Sequence, residues 1–410
     1  MAVRAHYRSR YWRRTVIAGL LALLAAVSIS GLAGAPAAAA SPADPGSPAV
    51  NAMAFNPADP GSPAVNAVAF NPADPGSPAV NAVAFSPDGT LLAAGYGDGT
   101  VRLWVTATGQ ERGPALRAGS GPVTGVAFSP DGAMVAGADA DGTIVLWDPA
   151  TAAAIGPPLQ AGSGVNGVAF SPDGTLLASA DADGGVGLWN GATGQVSGPV
   201  LHPGSGASGG VTGVAFSPDG NLLAAAYGDG TIARWDPVTE APAGSPLEAG
   251  SGVRGVAFSP DGEFLASADA DGGVTLWRVA TDRFYGPVLH SCSASSGGVT
   301  GVAFSANSAV LAAACGDGTI GLWDPAASAP IGSPLQAGSG VNGVAFGPDG
   351  TLAGAGANGA VMAWNIAGAR PGRPVHDWFI LVAAVLALAL AAAAVAITAR
   401  EVWPYRFGRT

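Results

Sequence analysis

Three copies of the stretch Asp-Ala-Asp-Gly, at residues 139–142, 181–184 and 269–272, are the first candidates for chemistry in this sequence. Two carboxylates beside a glycine are typical of Ca²⁺-binding loops. Ca²⁺ takes about six to eight oxygen ligands, and no glutamate follows these copies where it would supply a bidentate ligand. We therefore expect no metal site and no cofactor, and we assign these aspartates to turns.

The histidines offer a second possibility of chemistry. His202, His290 and His376 recur at equivalent positions of a repeated segment, which indicates common descent rather than a converging site. The sequence contains no Ser-His-Asp order, no zinc-ligand spacing and no phosphate-binding glycine loop. These patterns favour a binding protein over an enzyme.

A long repeat positions all of these residues, and tryptophan marks it most clearly. Seven tryptophans are separated by 43, 42, 46, 42, 46 and 41 residues, and the first closes the phrase VAFSPDGTLLAAGYGDGTVRLW. A period of about 40–45 residues with four short strands is the signature of a propeller blade. The sequence therefore predicts an all-β fold, a seven-bladed β-propeller of four-stranded antiparallel blades. The repeat tryptophans are Trp104, Trp147, Trp189, Trp235, Trp277, Trp323 and Trp364.

The pattern within the first copy predicts the strands of a blade. An inner strand is expected at residues 80–85, a second strand at 91–95 and a third at 101–104. Asp98-Gly99 is the tight turn between the last two strands. The outer strand has the weakest signal and is expected near residues 112–117.

The two ends of the ring raise the question of closure. Residues 372–376 match the outer-strand segment of two other blades, so the seventh blade is expected to supply its own outer strand. The ring would then close without a strand from the N-terminal side. Residues 41–79 contain a Pro-rich 15-residue repeat and are predicted to be a spacer. Its spare copies at 48–55 or 63–70 remain candidates to cover an exposed blade edge.

The phrases VAFSPDG, DGT and LWD in these copies resemble the WD-repeat β-propeller family. The resemblance implies a binding platform in which each tryptophan is linked to a Ser or Thr, a His and a turn aspartate. The His is missing here, because its loop reads AGSGPV or AGSGVN, and the Ser occurs only as Ser179 and Ser267. The turn residue of the seventh blade is Asn358. The turn aspartates of the other six are Asp98, Asp141, Asp183, Asp229, Asp271 and Asp317.

The same resemblance implies that partners bind the face that carries the turn aspartates. Two positions there vary on a uniform frame, which is where a partner would be specified; drift in a young repeat is the alternative. The first position, two residues before the turn residue, holds Tyr96, Asp139, Asp181, Tyr227, Asp269, Cys315 and Gly356. The second, at the start of the inner strand, holds Asn81, Thr124, Asn166, Thr212, Arg254, Thr300 and Asn342. The candidate partner-binding residues are Tyr96, Asp139, Asp181, Tyr227, Arg254 and Asp269.

Both ends of the chain carry membrane signals. Residues 1–40 combine an arginine-rich start, an apolar core and small residues, the layout of a signal peptide or, if uncleaved, of a signal anchor. Residues 378–399 contain no charge and would span about 33 Å as a helix, enough for the bilayer core. Residues 400–410 contain three arginines and one acid, which predicts a cytoplasmic tail. The propeller, residues 80–377, would then be extracytoplasmic in the cell membrane.

Cys292 and Cys315 are the only cysteines. Cys292 falls in the loop that enters the sixth blade, and Cys315 ends the second strand of that blade, so both map to one face. An extracytoplasmic compartment is oxidising, which favours a disulfide over two free thiols.

The charge balance narrows the class of partner. Residues 41–377 contain 27 acidic side chains and nine arginines, and the chain has no lysine. An acidic domain repels phosphates, which argues against nucleic acid. Arginine as the sole base, with abundant Ala and Gly, favours a bacterial origin. We expect a non-catalytic, membrane-tethered scaffold or sensor for a protein or cell-envelope partner; the alternative is a lactonase-like propeller hydrolase with a site in the central channel.

Overall fold

The computed structural model describes residues 67–71, 76–203, 209–292 and 297–366. Within these ranges the chain forms strands, turns and loops, and no helix there is long and apolar enough to cross a bilayer. The predicted signal segment, the predicted span at 378–399 and the tail after it lie outside the described residues.

The first blade shows how the sequence pattern builds a sheet. Its second strand is buried along its whole length. Successive side chains of a strand point to opposite faces. Leu92 and Ala94 therefore pack towards the seventh blade, whereas Ala93 packs towards the second. A strand that has neighbours on both faces accepts mainly small and mid-sized apolar side chains, which explains its run of Leu and Ala.

Each of the seven blades has an inner, a second and a third strand, paired antiparallel in that order. The inner strands are β2 (Val80–Phe85), β7 (Val123–Phe128), β11 (Val165–Phe170), β14 (Val211–Phe216), β18 (Val253–Phe258), β23 (Val299–Phe304) and β28 (Val341–Phe346). The second strands are β3 (Leu91–Tyr96), β8 (Val135–Asp139), β12 (Leu176–Asp181), β15 (Leu223–Tyr227), β19 (Phe264–Asp269), β24 (Leu311–Cys315) and β29 (Thr351–Gly356). The third strands are β4 (Thr100–Val105), β9 (Thr143–Trp147), β13 (Val186–Asn190), β16 (Thr231–Trp235), β20 (Gly273–Arg278), β25 (Thr319–Asp324) and β30 (Val361–Asn365).

The outer edge of a blade is built from short pieces, which corrects the single strand expected near residues 112–117. In the first blade, two pieces pair with opposite ends of β4. Gly113, with a φ of 72°, and Pro114, which lacks an N–H, lie between them and interrupt the ladder. The outer pieces are β5 (Gln110–Glu111), β6 (Leu116–Arg117), β10 (Leu159–Gln160), β17 (Leu247–Glu248), β21 (Arg283–Phe284), β22 (Leu289–His290), β26 (Ala329–Pro330) and β27 (Leu335–Gln336).

The ring closes through a strand from the N-terminal side. β1 (Ala67–Asn71) lies in the segment predicted to be a spacer, and it pairs antiparallel with β30 at the outer edge of the seventh blade. The expectation that the seventh blade supplies its own outer strand is therefore wrong, because β1 occupies that edge. The segment expected there, residues 372–376, lies outside the described residues.

The sequence of β1 gives the physical reason for this correction. AVAFN alternates small and large apolar residues, whereas residues 372–376 contain a glycine and a proline, which weaken a strand. The Phe70 side chain is only 7% exposed and packs with Val80 and Trp104 of the first blade and Val361 of the seventh. β1 thus joins the last blade to the first.

The apolar core lies in the junctions between blades. Seven clusters of buried side chains fill the seven junctions. Six of the repeat tryptophans are buried in these clusters, and the remaining one, Trp323, is half-buried. Neighbouring inner strands contact one another around the ring, including β28 with β2. The loops at both ends of the blades are therefore held on a closed frame.

Candidate partner-binding face

The loops between the second and third strands define one face of the ring, which we call the turn face. Asp98 accepts hydrogen bonds from the Thr100 N–H (3.1 Å) and hydroxyl (2.6 Å), and Asp229 and Asp317 do the same with the threonines that follow them. These short-range bonds hold each loop and leave the carboxylate exposed. The exposed turn aspartates are Asp98, Asp141, Asp183, Asp229, Asp271 and Asp317. They encircle the turn face with negative charge.

The first variable position lies in the interior, which corrects its assignment to a partner-binding surface. Each of its residues ends a second strand and pairs with the first valine of the inner strand, as Tyr96 does with Val80. A side chain there points between blades, and the exposed fraction does not exceed 2% at any of the five candidates. These are Tyr96, Asp139, Asp181, Tyr227 and Asp269. They lie one to a blade and do not converge.

Asp139 shows what its position does. Its Oδ1 accepts hydrogen bonds from the backbone N–H groups of Asp141 (3.1 Å) and Thr143 (2.8 Å). A Cβ added to Gly119 would lie 1.8 Å from Asp139 Oδ2, so the carboxylate occupies the space that this loop leaves open. Gly119 lies in the loop from which the family's His is missing. Asp139 therefore occupies the space that a larger residue of this loop would need.

Two of the buried carboxyls have perturbed pKa values. Burial raises the pKa of Asp181 to about 7, against a smaller lowering by the Ser179 hydroxyl. Burial likewise raises the pKa of Asp269 to about 6, although Ser267 (2.6 Å) and Thr275 (2.7 Å) donate hydrogen bonds to it. Burial also raises the pKa of the Tyr227 phenol. These two buried carboxyls therefore favour the protonated form up to a higher pH than an exposed aspartate does.

The second variable position forms a belt of side chains that link each inner strand to the next blade. Asn81 Nδ2 donates a hydrogen bond to the Val123 carbonyl (2.8 Å), and Asn342 Nδ2 donates to the Val80 carbonyl (2.8 Å), which completes the circle. The threonines use their hydroxyls in the same way. Sequence reasoning missed this role, because the bonds span blades. The belt comprises Asn81, Thr124, Asn166, Thr212, Arg254, Thr300 and Asn342.

A β-bulge places each belt residue. Val80 and Ala82 pair with consecutive residues of β3, so Asn81 between them is the extra residue, and the other six blades repeat this shift. A bulge re-aims the side chain out of the ladder. Arg254 differs from the other six in its acceptor: it is exposed and donates to the Gly297 carbonyl (2.7 Å) instead of to the first valine of the next inner strand. It is the one candidate partner-binding residue that the structure leaves at the surface.

Comparison with known families agrees with this architecture. Residues 79–283, half of the chain, match the family described as IFT122 first beta-propeller, and residues 286–324 match the family described as WD domain, G-beta repeat. The chain belongs to the WD-repeat β-propeller family. A search of functionally characterised proteins gives no match to this WD-repeat chain.

The tryptophan networks of this WD-repeat ring are shortened. Trp189 Nε1 donates to Ser179 Oγ (3.2 Å), whereas Trp323 Nε1 donates to Ser291 Oγ (2.7 Å). Trp104 Nε1 is buried and has no hydrogen-bond partner in the described ranges. Ser291 was not found from the sequence, because it lies 32 residues from its tryptophan. Ser267 donates its hydrogen bond to Asp269. Because the tryptophan networks are shortened, apolar packing at the blade junctions carries most of the blade stability.

Cys292 and Cys315 are joined by a disulfide in this WD-repeat ring, with Cα atoms 5.7 Å apart. The bond ties the loop that enters the sixth blade to the end of β24. It lies at the turn face, as the strand assignment predicts. Among the described residues, no group of three or more His, Cys, Asp or Glu side chains is placed to hold a metal ion.

Proposed function

We propose that this chain is a membrane-tethered, extracytoplasmic WD-repeat propeller that binds a protein partner on its turn face and has no catalytic role. A WD-repeat propeller is suited to be a protein-interaction scaffold, because its loops are held on a rigid ring. The observation that carries the proposal is the circle of six exposed turn aspartates, five of which accept a hydrogen bond from a backbone N–H of their own loop.

The charge of this face indicates the chemistry of the partner. Exposed carboxylates at one rim attract a basic surface and raise the rate of encounter. Arg254 lies at the belt and supplies a cation nearer the channel, where an acidic side chain of the partner would pair with it. The five buried candidates do not contact the partner in this proposal; they hold the loops that do.

The tether and its compartment rest on the sequence of the chain ends. The signal-like residues 1–40 and the uncharged residues 378–399 support a ring outside the cytoplasmic membrane. The acidic composition of the ring also fits a protein or cell-envelope partner rather than nucleic acid.

The hydrolase alternative is less well supported than the scaffold. Most of the belt side chains already donate hydrogen bonds to the next blade, which removes them from catalysis in the channel. The two perturbed carboxyls are buried in separate blades, so they do not meet in one site of the channel.

A charge-matched pair of variants tests the scaffold proposal. One variant replaces Asp98, Asp229 and Asp317 of the turn face by asparagine, which can still cap the loops. The control makes the same change at Asp88, Asp131 and Asp219, which are on the opposite face. A photo-crosslinking residue at the exposed Ser120 would capture the partner in the native membrane.

The expected result is a strong loss of crosslinked partner in the turn-face variant and little change in the control. Equal capture by both variants would overturn the assignment of the face. The tether has its own test, because protease added to intact spheroplasts should degrade the ring; complete protection would contradict an extracytoplasmic location.

A further inference from the structure

Tight turns between the inner and second strands define the opposite face of the ring, which we call the proline face. In five junctions the turn proline of one blade lies against the turn glycine of the next. A Cβ built on the glycine would be 2.9 to 3.7 Å from the proline ring. The pairs are Pro87 with Gly132, Pro130 with Gly174, Pro172 with Gly220, Pro218 with Gly262 and Pro348 with Gly89.

The sixth blade breaks this pattern on both sides. Its turn has Ser308 in place of the glycine, and the Ser308 hydroxyl accepts a hydrogen bond from the Asp261 N–H (3.0 Å) of the fifth blade. The same turn has Ala306 in place of the proline. We call the space that a turn proline occupies beside the glycine of the next blade a proline seat. The proline seat beside Gly350 of the seventh blade is therefore not filled by a proline of the sixth blade.

A cleft of about 180 Å³ lies at this junction. An apolar cavity of about 150 Å³ holds a benzene molecule, so this cleft has room for a proline ring. Its apolar walls are Val310, Phe346 and Ile366, and the exposed Asp349 lies at its rim. The cleft is thus an unfilled proline seat with a carboxylate beside it.

The chain itself points to the occupant. β30 runs from the turn face to the proline face, and Ile366, which follows it, is one wall of the cleft. The next residues read AGARPGRP, with Pro371 five residues beyond Ile366. Five residues reach at most about 18 Å, enough to return to the cleft. Arg370 and Arg373 are opposite in charge to Asp349.

We propose that residues 367–377 dock on the proline face, with Pro371 in the seat that Ala306 leaves empty. Every other proline seat shown by the structure is filled from within the ring, and this one borders the exit of the chain. On the proposed function, docking would hold the proline face towards the predicted span at 378–399. The turn face would then point away from the membrane and stay open to a partner.

A spin label on Ala369→Cys tests the docking in the full-length protein in detergent. The native cysteines are bonded to each other, so a thiol reagent labels only the new site. We expect an immobilised spectral component that is lost in Ala306→Pro, which fills the seat, and in Pro371→Ala, which removes the ring. Six other blades carry proline at this turn position, so Ala306→Pro is compatible with the fold.

Ala306→Ser is the matched control and should keep the immobilised component. A mobile label in the parent protein, or an immobilised label that survives both proline variants, would overturn the docking. The measurement needs no partner, so its failure is distinct from a failure of the scaffold proposal.

Discussion

Closure by β1 predicts an unusual response to the loss of Phe70. Its side chain is 7% exposed and packs with Val80, Leu92 and Trp104 of the first blade. Truncating such a phenylalanine to alanine ordinarily costs about 3–5 kcal/mol of the free energy of unfolding. That is a large share of the about 5–15 kcal/mol that stabilises a typical domain.

The 15-residue repeat offers a replacement strand. Residues 52–56 read AMAFN, where β1 reads AVAFN, and Phe55 stands one period before Phe70. If residues 52–56 took the place of β1, the connection to β2 would lengthen from 8 residues (72–79) to 23 (57–79). The logarithmic cost of loop closure makes that difference about 1 kcal/mol. In Phe70→Ala, replacing β1 by residues 52–56 therefore costs less free energy than keeping the truncated β1 at the edge of the seventh blade.

We therefore expect Phe70→Ala to cost about 1 kcal/mol and Phe55→Ala to cost almost nothing, whereas the double variant costs about 3–5 kcal/mol. Urea unfolding followed by tryptophan fluorescence measures the free energy of unfolding of all three variants. An unchanged dependence of that free energy on urea concentration shows that only stability has changed. A deletion of residues 57–71 should keep most of the stability, because it brings Phe55 to the spacing of Phe70.

Two results would refute this reasoning in different ways. A full loss in Phe70→Ala alone, with no further loss in the double variant, would show that residues 52–56 cannot replace β1. A small loss in the double variant would show that Phe70 does not close the ring.

Three further predictions concern the interior, the disulfide and the belt. Burial raises the folded-state pKa of Asp181 to about 7, so the ring is stable with this carboxyl protonated near pH 4 and loses stability as the carboxyl ionises towards pH 7. Asp181→Asn has no charge to bury, so it should raise the free energy of unfolding at pH 8 by about 3–4 kcal/mol and change it little at pH 4. Mass mapping without reductant should recover Cys292 linked to Cys315, and reduction should cost about 3 kcal/mol for a loop of this length. Asn342→Ala should cost about 1–2 kcal/mol, because it removes a half-buried hydrogen bond between the seventh and first blades.

Each of these predictions has a control and a contrary result. Glu248→Gln removes an exposed charge and should leave the pH dependence intact; an unchanged profile in Asp181→Asn would contradict the buried-carboxyl argument. Two freely alkylated thiols would reject the disulfide. Asn342→Thr should retain most of the stability, since threonine forms this bond in three other blades, and equal losses in both variants would argue against the belt.

The blades themselves were predictable from sequence, because local signals define them. Alternating apolar residues, tight turns and the repeat tryptophans place the inner, second and third strands within about one residue of their observed bounds. The outer edge was less predictable, since its pieces are two residues long and are interrupted by Gly113 and Pro114.

The candidate site was predictable only in part. The exposed turn aspartates follow from loop chemistry, which acts within two residues. Burial of Tyr96 and Asp139 does not follow from the repeat, because it depends on the neighbouring blade and on the room left by a loop such as that at Gly119.

The number of blades, their strands and the acidic turns follow from the amino-acid sequence, because each depends on interactions between residues close in the chain. The strand that closes the ring, the variable residues that are buried and those that form the belt are settled by packing between blades. Those outcomes depend on contacts between blades that are 40 or more residues apart, such as Asn342 with Val80 and β1 with β30. Closely similar repeats carry little signal for such choices, since several copies satisfy the local rules equally well.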